Sequence, residues 1–407
     1  MSHAVAMLSI HTSPLDHPGR TKDAGGMNVY MLELAQKLMK YHTQIDIFTR
    51  RTNKYTPQIV HLGKNTRIIH VQAGPMAPLH KNDLYQYTPT FARYIDEFRR
   101  RESMHYDLIH SHYWLSGVAA TRLACHWDIP HATMFHTLGR LKQLANPNEP
   151  ELPLRLEMEQ RLIRHVDCII APTSEERNQM IRHCGAMASR VAVIPCGVDL
   201  KYFIPMSSGL ARQRLGLPAE RPILLFAGRL DPFKGPDLLL RAAALMRQDA
   251  LVVIVGGSGS GDKDMQQLRE QAQQLNIADR VLLLGARPRE EMPLFYNAAN
   301  VTVVPSYHET FGLAAVESLA CSTPVVATRT GGLTTIVQHG ENGFLVPRCP
   351  GFFAERLDAM LSDNQLYACL QSAARPSITQ FSWEKVAQEV HMVYQELTSE
   401  ELSRIAQ

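Results

Sequence analysis

The stretch Val301–Val326, with the sequence VTVVPSYHETFGLAAVESLACSTPVV, decides the fold. Its first four residues, Val301–Val304, are β-branched and mostly apolar, which predicts a buried strand that ends at Pro305. After a short polar loop, Phe311–Ala320 places apolar residues at helical spacing, and a second apolar strand follows from Val325. A strand, a loop, a helix and a strand in this order indicate a parallel α/β unit.

Two glutamates mark the functional end of this unit. Glu309 lies in the loop at the carboxyl end of the first strand, where open α/β sheets bind their ligands. Glu317 follows near the end of the second turn of the predicted helix. The first amides of a helix have no intrahelical partner, so they favour an anion such as a diphosphate. Here these amides belong to Phe311, Gly312 and Leu313.

Strand-like and helix-like segments alternate along the chain, which is typical of βαβ units and parallel sheets. A seam with Pro, Gly and Ser runs from Pro195 to Pro222, and the alternation restarts after it. The sequence therefore predicts an α/β protein with two doubly wound, Rossmann-like domains that face a cleft. We expect them over residues 1–200 and 201–379, with a final helix over residues 380–407 that packs back on the first domain. Predicted strands lie near Val5–Ile10, Ile45–Thr49, Thr66–Val71, Leu108–Ser111, His131–Phe135, Cys168–Ala171, Val191–Ile194, Ile223–Ala227, Leu251–Val255, Val281–Leu284, Val301–Val304, Val325–Ala327 and Phe344–Val346.

The composition is that of an ordinary soluble globular protein, with 45% hydrophobic and 20% charged residues among 407. The net charge of +3 is small, so no nucleic-acid partner is expected, and the basic run Arg99–Arg101 is interpreted as a solvated helix end. The seven cysteines form no CxxC pair, which favours a reducing compartment. The apolar N-terminus lacks the features of a signal peptide, and no stretch is long enough to span a membrane. We therefore expect a cytoplasmic protein.

The phrase PSYHETFGLAAVE, at Pro305–Glu317, resembles the E-x7-E motif of the retaining glycosyltransferases of family 4, which have the GT-B fold. The resemblance extends over almost the whole chain. It implies that Glu309 and the helix amides bind the donor sugar, and that Glu317 binds the ribose of the donor nucleotide. One departure is Ser322, which stands where the family usually has Gly in the phrase CGTPVV.

A glycine pair lies in the phrase DAGGMNVY, at Asp23–Tyr30, between the first predicted strand and a helix. Glycines there let the backbone approach a ligand closely at a helix N-terminus. The phrase resembles the first glycine loop of the inositol-phosphate N-acetylglucosaminyltransferases of mycothiol synthesis, and a related loop occurs in bacterial sucrose-phosphate synthases. This resemblance implies that Gly26 lies against the donor diphosphate and that His11, Asp23 and Asn28 face the acceptor.

Five further residues of the first half match functional positions of the mycothiol-pathway family. Lys81, Tyr113, Thr137 and Arg155 match residues that bind the phosphate of the acceptor, although each type, taken singly, is more often found at a surface. Three of them are natural hydrogen-bond donors to a phosphate, and Arg can bind phosphate bidentately. The sequence therefore predicts a phosphorylated acceptor. His136 matches a family His that contacts the donor sugar near the reacting carbon, and a core histidine is the alternative interpretation.

The second half begins its sheet with the phrase GRLDPFKG, which resembles the GR-x4-KG element of the family. Its cations, Arg229 and Lys234, lie between a strand and a helix, where they suit a diphosphate leaving group. The glycine turn Gly256–Gly261 follows the next strand, and the family has a glycine turn there close to the donor. Arg287 lies in the loop Gly285–Pro288, where backbone contacts of the family hold the uracil base.

The resemblance also implies a mechanism. The acceptor attacks the anomeric carbon of a UDP-sugar from the front face, the configuration is retained, and the leaving phosphate takes the acceptor's proton. His136, Arg229, Lys234 and Glu309 are the predicted catalytic residues, and no carboxylate acts as a nucleophile as in two-carboxylate glycosidases. Because the cations do the usual work of a metal, no cofactor is required; Mg²⁺ is compatible with the site but not implied.

Other interpretations stay open. DAGGMNVY favours inositol 3-phosphate with UDP-GlcNAc, whereas the abundance of Gln, His and Met favours a sucrose-phosphate synthase that uses fructose 6-phosphate and UDP-glucose. A non-catalytic nucleotide-sugar-binding protein is a remote alternative, against which the intact Arg229, Lys234, Glu309 and Glu317 argue. A nicotinamide dehydrogenase would need GxGxxG after the first strand, and that spacing is lacking. A homodimer is compatible with the sequence.

Overall fold

The computed structural model of the chain describes residues 3–16, 25–148, 150–257 and 263–405. These residues form two compact units. The first unit contains the residues up to Asp16, the range Gly26–Pro195 and the residues from Trp383 on, and the second contains Cys196–Ser382. The sequence placed these boundaries after residue 200 and before residue 380, so the ends of the second unit differ by a few residues from that prediction.

The backbone around the seam explains the difference. Val198 forms a parallel bridge with Ser382, and the guanidinium of Arg375 donates to the carbonyl oxygen of Leu200 at 2.7 Å. The segment that follows Pro195 is therefore bonded to the second unit before the first strand of that unit begins.

The first unit is built on a sheet of eight strands among the described residues. The strands β1–β8 cover Ala4–Ser9, Gln44–Arg50, Ile59–Gly63, Thr66–Val71, Leu108–His112, His131–Met134, Cys168–Ala171 and Val191–Val193. Their order is β3-β4-β2-β1-β5-β6-β7-β8, and every pair is parallel except β3 with β4.

The second unit contains six strands among the described residues, and all of them are parallel. The strands β9–β14 cover Ile223–Ala227, Leu251–Val255, Val281–Leu283, Val301–Val304, Val325–Thr328 and Gly343–Val346. Their order is β11-β10-β9-β12-β13-β14, so the winding direction reverses between β9 and β12. In the first sheet it reverses between β1 and β5. Such reversals are the positions at which doubly wound sheets bind ligands.

The helices connect consecutive strands across the sheets. In chain order, and within the described residues, α1–α15 cover Gly26–Leu38, Thr88–Arg101, Trp114–Trp127, Gly139–Ala145, Pro153–His165, Ser174–Cys184, Ser208–Leu215, Pro236–Leu245, Lys263–Gln274, Met292–Ala298, Leu313–Ala320, Leu333–Ile336, Pro350–Ser362, Asn364–Ala374 and Trp383–Ile405. Every residue of β5, β10 and β12 is buried, because parallel strands with helices on both faces have no solvent side.

The predicted α/β fold with two doubly wound sheets is confirmed. Every predicted strand is present, and its ends differ from the prediction by at most one residue. The sequence analysis missed β3, an edge strand whose apolar residues are interrupted by His61, so it has no continuous apolar run.

The last helix, α15, is part of the first unit. Its Trp383 ring packs edge-on against Tyr30 of α1 at 5.5 Å between ring centroids, and Glu384 pairs with Lys37 of α1 at 3.1 Å. Within the described part of the chain, no helix combines the length and the apolar character that a bilayer crossing needs.

Ser322 tests the energetic cost of a departure from the family pattern. It has φ of +60°, a left-handed conformation that costs a residue with a Cβ atom more than it costs Gly. We expect Ser322→Gly to raise the free energy of unfolding by about 1 kcal/mol, as measured by chemical denaturation. Ser322→Ala is the matched control, because it keeps the strain and should give no gain. A less stable Gly variant would contradict this prediction.

Candidate active site

The loops after β9 and β12 form the candidate site of the second unit. Arg229 and Lys234 lie between β9 and α8, and Glu309 lies between β12 and α11. Lys234 Nζ is 2.7 Å from Glu309 Oε1, so the structure brings these two predicted residues together as an ion pair. Arg229 lies in the same loop as Lys234, and its Nε is 3.2 Å from an oxygen of Asp231.

Glu309 is held in its ionised form. Burial acts to raise the pKa of its carboxyl group, but the charge of Lys234 and a 2.8 Å hydrogen bond from Ser306 Oγ act more strongly and lower the pKa below its usual value. The carboxylate is therefore a permanent hydrogen-bond acceptor, which is what binding of sugar hydroxyl groups requires.

The loop that carries Glu309 is fixed by residues that the sequence analysis did not identify. Arg348 donates from Nε to the carbonyl oxygen of Pro305 at 3.1 Å, and its guanidinium lies 3.4 Å from the centre of the Tyr307 ring. On the other side, the amide of Gly332 donates to the carbonyl oxygen of Glu309 at 2.7 Å. A signal for this contact was present, because a glycine pair follows β13 in the sequence.

Close packing explains one glycine of that pair. A Cβ atom on Gly331 would lie 2.1 Å from the carbonyl oxygen of Glu309, and the φ of Gly331 is +47°. Both observations exclude a larger residue at this position. The backbone of the Glu309 loop is thus held in place from two sides.

The helix after Glu309 begins later than the sequence predicted. The predicted helix started at Phe311, whereas α11 starts at Leu313, because Gly312 has φ of +111° and cannot be part of a right-handed helix. Among the described residues, the amides of Phe311, Gly312 and Leu313 donate no backbone hydrogen bond. They therefore keep the donor capacity that an anion would use.

Glu317 lies on α11 and accepts a hydrogen bond of 2.8 Å from the hydroxyl group of Tyr296. Tyr296 is buried, and burial together with the nearby carboxylate raises the pKa of its hydroxyl group well above the usual value. The carboxylate of Glu317 is oriented by Tyr296, which the sequence analysis had not identified.

The loops after β10 and β11 lie beside those after β9. A Cβ atom on Gly256 would be 1.8 Å from the carbonyl oxygen of Gly228, so only Gly fits there. The rest of the predicted glycine turn, residues 258–261, lies outside the described residues. Arg287 Nη1 is 3.8 Å from Glu291 Oε2. The structure thus puts Arg287 at the end of β11, in an exposed ion pair.

The first unit has a second cluster at the loops after β1, β5 and β6. The rings of His11 and Tyr113 are 4.4 Å apart, and the Arg155 guanidinium lies 5.1 Å from the centre of the Tyr113 ring. Arg155 Nη2 also donates to the carbonyl oxygen of Thr137 at 2.8 Å and to its hydroxyl group at 3.2 Å. The structure therefore brings together His11, Tyr113, Thr137 and Arg155.

The charge of Arg155 is already compensated by protein groups. The residue is 4% exposed, and it pairs with Glu159 at 2.7 Å and with Glu151 at 2.9 Å. Burial acts to lower the pKa of the guanidinium, but the two carboxylates raise it further than burial lowers it. The sequence analysis predicted that Arg155 donates hydrogen bonds to a phosphate and did not foresee these two partners, because opposite charges four residues apart are also the ordinary pattern of a surface helix.

His136 is partly buried and neutral. Burial lowers its pKa to about 3, and its Nε2 is 2.9 Å from Nδ1 of His112. The pKa of His112 is also well below the usual value, first because of burial and then because of its histidine neighbours. His136 has φ of +57°, which turns the chain sharply after β6. A neutral imidazole held in this way can orient a hydroxyl group but is a weak base at neutral pH.

Three further predicted residues of the first half, Asn28, Gly26 and Lys81, are described by the structure and lie in the first unit. Asn28 is buried at the start of α1, and its side-chain amide donates to Thr12 Oγ1 at 2.8 Å, so it fixes the loop after β1. Gly26 is the first residue of α1, and Lys81 begins a short 3-10 turn over Lys81–Asp83. Asp23 lies outside the described residues.

A metal site does not appear among the residues that the structure describes: no three His, Cys, Asp or Glu side chains are grouped to hold an ion. The sequence contains one D-x-D triplet, Asp262–Asp264, and carboxylates are ligands that Mg²⁺ accepts. Its first residue lies outside the described ranges.

The Lys234–Glu309 pair has a pH-dependent effect on stability. The folded-state pKa of Glu309 is below its unfolded value, so the pair contributes stability above about pH 4.3 and loses it as the pH falls through the folded pKa. We expect Lys234→Met to cost about 2 kcal/mol near neutral pH and much less in acid, in chemical denaturation. An equal loss at both pH values would contradict this origin.

Two controls belong to this experiment. In the double variant Lys234→Met/Glu309→Gln, the loss should be smaller than the sum of the two single losses, because the two residues interact. The exposed pair of Arg161 and Glu157 provides the second control, and Arg161→Met should change stability by less than 1 kcal/mol.

Comparison with known families agrees with this geometry. Residues 24–202 match the sequence profile described as Glycosyltransferase Family 4, and residues 208–376 match the profile described as Glycosyl transferases group 1. The two matches correspond closely to the first and second units.

Several relatives match the chain over nearly its full length. A D-inositol 3-phosphate glycosyltransferase from Nocardiopsis dassonvillei is 42% identical, over 97% of this chain and 95% of that protein. One from Xylanimonas cellulosilytica is 40% identical over 98% of both chains. Among solved structures, sucrose-phosphate synthase from Thermosynechococcus elongatus superposes with a TM-score of 0.91 and 32% identity, over 98% of this chain and 99% of that one. The chain therefore belongs to the family 4 glycosyltransferases with the GT-B fold.

Proposed function

We propose that the protein transfers a hexosyl unit from a UDP-sugar to a phosphorylated polyol or sugar, with retention at the anomeric carbon. The observation that carries the proposal is the Lys234–Glu309 pair where the second sheet reverses its winding direction, 2.7 Å apart. A cation and an ionised carboxylate in one loop pair suit a substrate that combines a diphosphate with sugar hydroxyl groups.

The donor half of the proposal uses the second unit. Arg229 and Lys234 stabilise negative charge on the departing diphosphate, together with the amides before α11. Glu309 accepts hydrogen bonds from the sugar, and Glu317 accepts them from the ribose, with its carboxylate oriented by Tyr296. Near Arg287, the loop after β11 contacts the base. Because these groups are held in place before the donor arrives, little reorganisation accompanies the reaction.

The acceptor half uses the first unit. Tyr113 and Thr137 both contact Arg155, and Lys81 joins these three residues in binding the acceptor's phosphate. Neutral His136 orients the donor sugar and does not act as the base. The acceptor's proton then goes to the leaving phosphate oxygen as the new glycosidic bond forms and the old one breaks, so no protein base is needed.

The preferred acceptor is inositol 3-phosphate, because the two curated relatives described above are named for that substrate and share 40% or more of their residues with this chain. A sucrose-phosphate synthase is the second candidate, supported by the 32% identity and the TM-score of 0.91 to a solved enzyme with that name. The reaction needs no bound metal in either case, since two cations lie where a metal would otherwise act.

An assay of nucleoside diphosphate release from purified protein tests the proposal. It crosses UDP-GlcNAc and UDP-glucose with inositol 3-phosphate and fructose 6-phosphate, with and without EDTA. We expect release only with UDP-GlcNAc and inositol 3-phosphate, unaffected by EDTA. Release only with UDP-glucose and fructose 6-phosphate would select the second candidate. UDP binding without any release would favour the non-catalytic interpretation.

Lys81 tests the acceptor phosphate site without disturbing the buried charges. Lys81→Met removes one charge-assisted hydrogen bond to the phosphate, so we expect the acceptor KM to rise about tenfold or more while the donor KM stays the same. Lys64→Met, a change at an exposed lysine in the turn before β4, is the control. If the acceptor KM does not change, Lys81 does not bind the acceptor.

Arg155→Lys is preferable to Arg155→Met as a second variant, because loss of the charge would leave Glu159 buried and unpaired.

A further inference from the structure

In the first unit, the carboxylate of Glu151 occupies the position predicted for the acceptor's phosphate. One oxygen of Glu151, Oε1, lies 2.8 Å from Lys142 Nζ, and the other, Oε2, lies 2.9 Å from Arg155 Nη1. Glu151 thus bridges two cations with its two oxygens, as a phosphate would bridge them. The side chain of Glu151 is 12% exposed, so the bridge is shielded from water and is stronger than a surface ion pair.

Arg155 offers few donors to a ligand while this bridge is in place. A guanidinium has five N–H groups. Nε donates to Glu159 at 2.7 Å, Nη1 donates to Glu151, and Nη2 donates both to the carbonyl oxygen and to the hydroxyl group of Thr137. Bidentate binding of a phosphate needs two adjacent N–H groups. These contacts use four of the five N–H groups, so Arg155 binds a phosphate in this way only after at least one of the present acceptors leaves, and Glu151 on Nη1 is such an acceptor.

The charge balance leads to the same conclusion. Lys142 and Arg155 carry two positive charges, and Glu151 and Glu159 carry two negative charges, so the group has no net attraction for an anion. Burial acts to raise the pKa of Glu151, but Arg155 and Lys142 lower it further, so its carboxyl group is ionised. Without Glu151 the group has a net charge of +1.

Only one of the two carboxylates is free to exchange. Glu159 is buried in the middle of α5, and its Oε2 accepts a 2.8 Å hydrogen bond from the amide of Gly139. Glu151 precedes Pro153, the first residue of α5, and lies in the irregular segment between α4 and α5. A change in that segment moves Glu151 without unwinding a helix.

We propose that Glu151 is an internal counter-ion that the acceptor's phosphate displaces from Arg155 and Lys142, and that Lys142 thereby becomes a further phosphate ligand. This inference rests on the proposed function, which supplies a phosphorylated acceptor. It assigns a specificity role to Glu151: an acceptor without a phosphate has no charge with which to displace the carboxylate, so the bridge selects against it.

Calorimetric titration with inorganic phosphate tests the displacement directly. We expect Glu151→Gln to bind phosphate about tenfold more tightly than the native protein, since a neutral amide competes poorly for two cations. Lys142→Met should bind phosphate more weakly than the native protein. Glu157→Gln, at an exposed position of α5, is the matched control and should bind like the native protein. Weaker phosphate binding by Glu151→Gln would overturn the proposal.

Kinetics with the acceptor that supports turnover provide the second measurement. In Glu151→Gln the KM for the phosphorylated acceptor should fall by about the same factor as the Kd for phosphate, and the KM for the UDP-sugar should not. If Glu151 only stabilises the fold, the thermal midpoint falls and the acceptor KM rises or stays the same. That outcome rejects the displacement of Glu151 by phosphate. If the Gln side chain keeps the contacts with Lys142 and Arg155, the same measurement is made with Glu151→Ala.

The proposed function and the displacement of Glu151 predict different combinations of results. If Lys81→Met leaves the acceptor KM unchanged while Glu151→Gln still tightens phosphate binding, the anion site is real and the proposed acceptor is wrong. If Lys81→Met raises the acceptor KM and Glu151→Gln does not lower it, the proposed function stands and the displacement by phosphate is rejected.

Discussion

The parallel pairing of β12 with β9 is the constraint on which the candidate donor site depends. Thr302 lies opposite Leu225 in this pair, so both strands end at the same edge of the sheet, and their following loops leave in opposite directions. Lys234 and Glu309 are separated by 75 residues in sequence and reach 2.7 Å only because of this pairing. Arg348 and the close approach of Gly331 then fix the loop of Glu309, so the ion pair forms without any ligand. A rigid, preorganised pair of this kind is what electrostatic stabilisation of a leaving group requires.

Compensated charge is the common feature of both units. Lys234 pairs with Glu309, Arg229 pairs with Asp231, and Arg155 pairs with Glu151 and Glu159. Each of these three cations therefore has a carboxylate partner, and for buried Arg155 an unpaired charge would be destabilising. Under the proposed function, an anionic substrate exchanges one partner for another instead of filling a bare cationic pocket. Selectivity then depends on the difference in free energy between the ion pair with the carboxylate and the ion pair with the phosphate. This difference is more sensitive to phosphate geometry than the attraction between a cation and a phosphate alone.

Three histidines of the first unit differ from these charged residues because they are neutral. His110 and His112 are buried, His136 is partly buried, and burial lowers the pKa of each of them. They are neutral at physiological pH, so they orient groups by hydrogen bonding and add no charge. The hydroxyl group of Tyr394 on α15 lies 2.8 Å from His110 Nδ1, so the last helix of the chain contacts these histidines.

The sequence by itself determined the fold class, the order of the strands along the chain, and the loops that carry the predicted residues. These features depend on local patterns: apolar runs, helical spacing, and glycine or proline at strand ends. Only the tertiary structure decided which charged residues pair with one another and which side chains form buried hydrogen bonds. The sequence did not reveal the Arg348 contact with the Glu309 loop, the Tyr296 hydrogen bond to Glu317, or the occupation of Arg155 by Glu151, nor that Ser322 has a positive φ. The physical reason is that an ion pair or a buried hydrogen bond depends on distance in space, and chain neighbours constrain that distance only through the complete packing of the sheets and helices.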